Sequence, residues 1–207
     1  LRLAASSGDY RYAVREATAW MERGRFTNGG VTSALKLFGN ANRGDKLDAL
    51  LGLLAEKGFV MNLHHQNACM AAFIRCHQPD KALKIFDGIE FPDSYSYSSA
   101  LQAWTKLDVE GALAFFLNKI PLEQKGAVHY NTVMSCVGKG KDGDWRRALD
   151  IYFELTERGL ADAISHRIII NTLETREQLV LASQIKKDLA TSSSNGACVT
   201  SENFEGF

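Results

Sequence analysis

Apolar residues recur along the chain at i, i+3, i+4 and i+7, the spacing that lines one face of an α-helix. Val31, Ala34, Leu35 and Phe38 make one such set. Tyr97, Ala100, Leu101 and Trp104 make another, and Tyr130, Val133, Met134 and Val137 a third. Gln66, Cys69, Met70 and Phe73 follow the same spacing with a polar first member. In chain order the four sets start 35, 31 and 33 residues apart. A second amphipathic segment follows each of the last three. It carries an Ala–Leu pair: Ala82–Leu83 with Ile85 and Phe86, Ala112–Leu113 with Phe115 and Phe116, Ala148–Leu149 with Ile151 and Tyr152. Leu50, Leu51, Leu53 and Leu54 take that part in the first unit.

Gly58, Gly88 and Gly159 stand where second helices should end, as residues able to take the left-handed conformation that closes a helix. Ala13, Ala17, Trp20, Met21 and Gly24 read as one more second helix without its partner. After Asp162 a weaker pair covers about 165–175 and 176–189. A helix pair of this length cannot bury both of its stripes alone, whereas stacked pairs can, with one concave and one convex face. The expected organisation is a partial repeat over 1–27 and five units over 28–62, 63–93, 94–126, 127–163 and 164–190. A Ser/Gly-rich tail, 191–207, has a composition that does not order itself without a partner.

Composition narrows the function. Lys plus Arg equals Asp plus Glu at 24 each, which weakens a bulk electrostatic claim on nucleic acid but permits a local basic patch. Lys36, Arg75, Lys106, Lys139, Lys141, Arg146, Arg147 and Arg167 could line one groove, with acidic residues among them. No apolar run approaches the length of a membrane span, and only Pro79, Pro92 and Pro121 interrupt helical stretches. The four cysteines include no CxxC pair and suit a reducing compartment. The chain opens on Leu1, so a processed or partial product is expected, with any targeting segment upstream.

Chemistry is sparse. His64, His65, Cys69, Cys76 and His77 form the densest ligand-like cluster. Cys76 lies seven residues past Cys69, about 10 Å along a helix, which argues against one closed zinc site. Gly138, Gly140 and Gly143 fall between helices and lack phosphate-loop spacing. The pattern is that of a binding module without cofactor or metal, not of an enzyme.

The stretch VHYNTVMSCVGKGKDGDWRRALDIYFELTERGL, residues 128–160, resembles a pentatricopeptide repeat in its Tyr-Asn-Thr opening, central Ala-Leu pair and closing Glu-Arg-Gly-Leu. Residues 64–93 are similar, down to a Pro-Asp ending. The resemblance implies an all-α, right-handed α-solenoid of stacked helix-turn-helix repeats, organellar (chloroplast or mitochondrion), binding single-stranded RNA one base per repeat. It assigns base reading to two side chains per unit, one early in the first helix and one at the unit's end. Thr32 with Asn62 resembles the adenine combination, and Asn67 with Asp93 the uridine combination, with His64 beside the base. Ser98 with Gly126 matches no strong combination, although Tyr95 could stack; Asn131 faces Ala163 as half a pair, and Ile168 replaces the last reader. Asn, Ser, Thr and Asp are equally good helix caps and turn formers. The alternative partner is a neighbouring protein in an organellar assembly, with the solenoid as scaffold.

Overall fold

The computed structural model describes residues 10–24, 26–139 and 143–195, side chains of 191–195 excepted. Gly140, Lys141 and Asp142 of the central turn, and the tail from 196 onward, lie outside the described residues. The described residues form α-helices and one short 3₁₀ turn, with no strand among them. They fall into two compact units, 1–103 and 104–207.

The first unit holds α1 (Tyr10–Glu22), α2 (Asn28–Asn40), α3 (Gly44–Glu56), α4 (Leu63–Arg75), α5 (Pro79–Asp87) and most of α6 (Ser94–Leu107). α2 packs on its own second helix α3 and on the next first helix α4, while α3 also touches α4. This is the contact pattern of stacked hairpins. Val31, Ala34, Leu35 and Phe38 of α2 are wholly buried, as are Cys69, Met70 and Ala72 of α4. The two first helices approach closely because Gly39 has no side chain. A Cβ there would lie 2.8 Å from the Cα of Ala72. Second helices are tied by Lys81 Nζ on Asp48 Oδ2 at 2.5 Å, an exposed ion pair of small energetic weight.

The second unit repeats the plan with α7 (Val109–Asn118), the 3₁₀ turn Leu122–Gln124, α8 (Ala127–Val137), α9 (Trp145–Glu157), α10 (Ala163–Thr175) and α11 (Leu179–Asn195). α8 packs on α9 and α10, and α9 on α10. Gly138 plays the part of Gly39: a Cβ there would meet the Thr172 side chain at 2.7 Å. Tyr130 of α8 is fully buried against Phe116, ring centroids 4.9 Å apart. Its hydroxyl donates a short hydrogen bond to Glu154 of α9 and accepts one from Arg158 at 2.7 Å. Arg158 also donates to Leu122 O at 3.0 Å, fastening the 3₁₀ turn to the repeat.

Three details differ from the sequence reading. Gly24, Gly58 and Gly159 close second helices at φ +64, +65 and +66, but Gly88 does so at φ −89. The left-handed residue also appears between first and second helices, where Asn42, His77 and Glu177 have φ +53, +55 and +59. There Arg43, Gln78 and Gln178 N–H reach back to Phe38, Phe73 and Leu173 carbonyls, satisfying helix-end acceptors. Finally, α11 begins at Leu179 and continues to Asn195, past the expected end near residue 189. Neither Pro nor Gly interrupts it before Gly196.

Candidate nucleic-acid interface

Every first helix starts on a capping residue, and the candidate reader lies five positions further on. Thr27 Oγ1 accepts from Gly30 N at 3.2 Å, and Asn62 Oδ1 from His65 N at 3.0 Å. Asp93 Oδ1 accepts from Ser96 N at 2.8 Å, and Asp162 Oδ1 from Ser165 N at 2.8 Å. Gly126 has no side chain to offer, and there the His129 ring accepts the Gly126 N–H at 3.1 Å. Capping and base reading are therefore not alternatives at these residues. The cap uses one oxygen and leaves other polar atoms of the same side chain.

The first pair surrounds a cavity of about 550 Å³ lined by Asn28, Thr32, Lys36, Asn40, Asn62 and His64 among others. Thr32, Asn62 and His64, separated by up to 32 residues in sequence, thus share one concavity in the first unit. Thr32 Oγ1 donates to Asn28 O at 3.1 Å, so its proton is committed and lone pairs remain. The buried His65 ring holds the wall in place. Its Nδ1 accepts the Asn62 N–H at 3.4 Å, which leaves Nε2 to carry the proton toward Asn28 O at 3.1 Å. Asn62 has committed Oδ1 to the cap, so Nδ2 is what it can offer. An acceptor at Thr32 beside a donor at Asn62 complements a base edge that sets an N–H beside a ring nitrogen or carbonyl.

The second pair is joined directly: Asn67 Nδ2 donates to Asp93 Oδ1 at 3.1 Å. Partial burial would raise the Asp93 carboxyl. Hydrogen bonds from Ser96 N–H, the Ser96 hydroxyl, the Asn67 amide and Tyr95 N–H outweigh it and hold the group below the usual carboxylate range. Asp93 is thus an acceptor at neutral pH, and Asn67 keeps one further N–H. Two residues past the caps, His64 and Tyr95 are exposed, Tyr95 to 77%. Val128 and Ile164 occupy the same position in the second unit, exposed to 63% and 50%. Sequence reasoning passed over these two because an exposed aliphatic has no polar signature.

In the fourth and fifth units the frame shifts by one residue. Asp162, not Ala163, caps α10, so Asn131 faces an acid: its Nδ2 lies 3.4 Å from Asp162 Oδ1. The residue five positions past that cap is Arg167, which is exposed, rather than Ile168. The Asp-x-x-Ser spacing of a capping box at Asp162–Ser165, the same as Asp93–Ser96, was the signal that would have set the frame. The Ser165 N–H, with the Ser165 hydroxyl and the Asn131 amide, holds the Asp162 carboxyl low against partial desolvation. Asn131 itself is only 9% exposed. Ser98, on α6, donates to Ser94 O at 2.8 Å.

The basic residues do not all stand on first helices. Lys36 faces the cavity of the first unit and Arg167 stands on α10, both on first helices. Arg146 and Arg147 belong to the second helix α9, Arg146 lying over Trp145 at 4.4 Å and Arg147 bound to Glu110 at 2.7 Å. Lys141 lies outside the described residues. Of the cysteine–histidine cluster, Cys69 is buried, with its thiol pushed up to about 12 by desolvation. Cys76 is buried against Phe38 O at 3.8 Å. No group of three or more His, Cys, Asp or Glu that could hold a metal ion exists among the described residues, and no described helix is long and apolar enough to cross a membrane.

Stacked helix pairs whose first helices carry a capped, polar pair at a constant five-residue offset define a helical-repeat module, and comparison places it. The family model for the PPR repeat matches residues 128–160. A pentatricopeptide repeat-containing protein of Arabidopsis thaliana is 23% identical over 175 residues, covering 77% of this chain and 20% of that protein. The pentatricopeptide repeat protein PPR10, in complex with an 18-nucleotide psaJ RNA element, superposes with a TM-score of 0.66 at 22% identity over 86% of this chain and 27% of that one. PPR10 from maize gives a TM-score of 0.68 at 18% identity, over 92% and 28%. Residues 128–160 thus match the PPR repeat, the chain has the helical-repeat solenoid fold of PPR10, and it spans between a fifth and under a third of the length of these relatives.

Proposed function

We propose that the chain binds single-stranded RNA along its first helices, reading bases with Thr32/Asn62, Asn67/Asp93 and Asn131/Asp162. His64 and Tyr95 flank bases on one side, as Val128 and Ile164 do in the second unit. The observation that carries this reading is the meeting of Thr32, Asn62 and His64 in one cavity of about 550 Å³, large enough for a base and lined by groups of matched donor and acceptor character. The RNA-bound relative, which shares the fold, supports it. A base stacked on an aromatic side chain gains roughly 1–3 kcal/mol, and each polar pair adds discrimination of about 1–3 kcal/mol by analogy with bidentate readout. The units are read without catalysis, and an organellar setting belongs to the same proposal on the strength of the family resemblance. Ser98, whose hydroxyl donates to Ser94 O, contributes little discrimination.

The test is binding to short single-stranded RNA across salt concentrations. Each phosphate neutralised contributes a slope of about 0.7 in log K against log salt. Asn67→Ala should weaken binding and blur base preference at one position only. Absence of binding, or a slope near zero, would leave the scaffold role toward a neighbouring protein as the surviving reading.

A further inference from the structure

The Asn67 amide is oriented by more than its partner. Asp93 is ionised and can only accept, so Asn67 must turn Nδ2 toward it, at 3.1 Å. That rotation points Asn67 Oδ1 at the Ser96 hydroxyl, 2.8 Å away. Ser96 is completely buried at the third position of α6. Its Oγ also lies 2.8 Å from Asp93 Oδ1 and accepts the Asp93 N–H at 3.3 Å. Asp93 Oδ1 already takes the Ser96 N–H and the Asn67 amide. The single Ser96 hydroxyl proton is shared between Asp93 Oδ1 and Asn67 Oδ1, both 2.8 Å away. The amide is therefore held at both ends, carbonyl inward and one N–H outward.

The second unit supplies an internal contrast. Ser165 repeats the cap, with Oγ 2.8 Å from Asp162 Oδ1 and accepting Asp162 N–H at 3.2 Å. Asn131 Oδ1, however, is buried without a hydrogen-bond partner among the described residues, and its Nδ2 stands at 3.4 Å from Asp162. The serine is present there, but the grip on the asparagine is not.

We propose that Ser96 is a positioning residue for base selection: it pins the Asn67 carbonyl inward, so that Asn67 offers a base only an N–H while Asp93 offers only an acceptor. The ligand class is a base edge that sets a carbonyl oxygen beside an imino N–H. Ser165 does not act in this way on Asn131. The inference rests on the RNA-binding reading above and adds to it a residue that touches no base.

The experiment uses the whole chain and single-stranded RNAs of one length in which one base at a time is varied. In the wild-type protein, the position whose preference disappears in Asn67→Ala is the one facing Asn67. Ser96→Ala should lower the preference ratio there by roughly 2- to 10-fold, the span of one net hydrogen bond, with ratios at other positions unchanged. Ser96→Cys keeps the volume close and supplies only a weak donor. It should give the same loss if the alanine variant folds poorly. Ser165→Ala removes an equivalent hydroxyl and should leave the ratio at the position facing Asn67 unchanged. If the Ser96 variants keep the wild-type ratio, or weaken all RNAs in equal proportion, Ser96 is a helix cap only and the proposal is overturned. If the wild-type protein shows no position that depends on Asn67, the RNA reading of that pair itself fails, which is a different result.

Discussion

Stacking of first helices depends on Gly39, and Gly39→Ala tests it. The added Cβ would stand 2.8 Å from Ala72 Cα and 2.9 Å from Ala72 Cβ. Carbon atoms in contact settle at about 3.5–4.0 Å, so α2 and α4 must part locally by roughly 0.7–1 Å. No rotamer relieves the clash, because both struck atoms are fixed to the backbone. Overpacking of this kind costs about 1–3 kcal/mol. The gain from replacing a helical glycine by alanine works the other way, by about 0.5–1 kcal/mol. The net expectation is a loss of roughly 0.5–2 kcal/mol. Gly52, in the middle of α3, is exposed with nothing within 4 Å of a built Cβ. Gly52→Ala should therefore stabilise by about 0.5–1 kcal/mol. Urea unfolding followed by far-ultraviolet circular dichroism measures both variants, the midpoint shifting at constant slope. A Gly39→Ala protein as stable as Gly52→Ala would refute the reasoning. The same variant bears on function, since the α2–α4 spacing sets the distance between Thr32 and Asn62 across the cavity.

Tyr130→Phe keeps the ring contact with Phe116 but deprives Glu154 and Arg158 of the hydroxyl between them. Bonds to charged groups are worth about 1.5–3 kcal/mol, and urea unfolding should show a loss in that range; an unchanged midpoint would contradict the network. The Asp93 and Asp162 carboxyls are held low in the folded protein, so the unfolded chain takes up their protons first as pH falls. Their stabilisation is full above the ordinary aspartate range near 4 and disappears as pH drops through the lowered folded values. Asp93→Asn retains a capping oxygen but cannot titrate, so its stability should fall less steeply between about pH 5 and 2 than that of the wild type. Parallel curves would sink that assignment.

Much of this was legible before any coordinates. The buried stripes Val31–Phe38 and Tyr130–Val137 are local, because a 3.6-residue turn brings their members to one side whatever surrounds the helix. Thr32, Asn62 and His64 were singled out from sequence and share one cavity. The turn chemistry was less visible. Asn42, His77 and Glu177 take left-handed φ without being glycine, because the returning helix-end hydrogen bonds impose it. The frame at Asp162 slipped by one residue: the Asp162–Ser165 capping spacing was there to set it, but the pairing Asn131–Asp162 that it serves spans 31 positions.

The amphipathic period of the chain alone determined the helices and their pairing into hairpins, and the repeat resemblance named the residues eligible to face a ligand. Only the stacked structure decided which amide faces which acid, and that Ser96 grips Asn67 while Ser165 leaves Asn131 Oδ1 without a partner. The reason is one of range. Helical periodicity acts over four residues, whereas these hydrogen bonds join groups some thirty residues apart, whose distance is set by how closely glycines such as Gly39 and Gly138 let one repeat lie on the next.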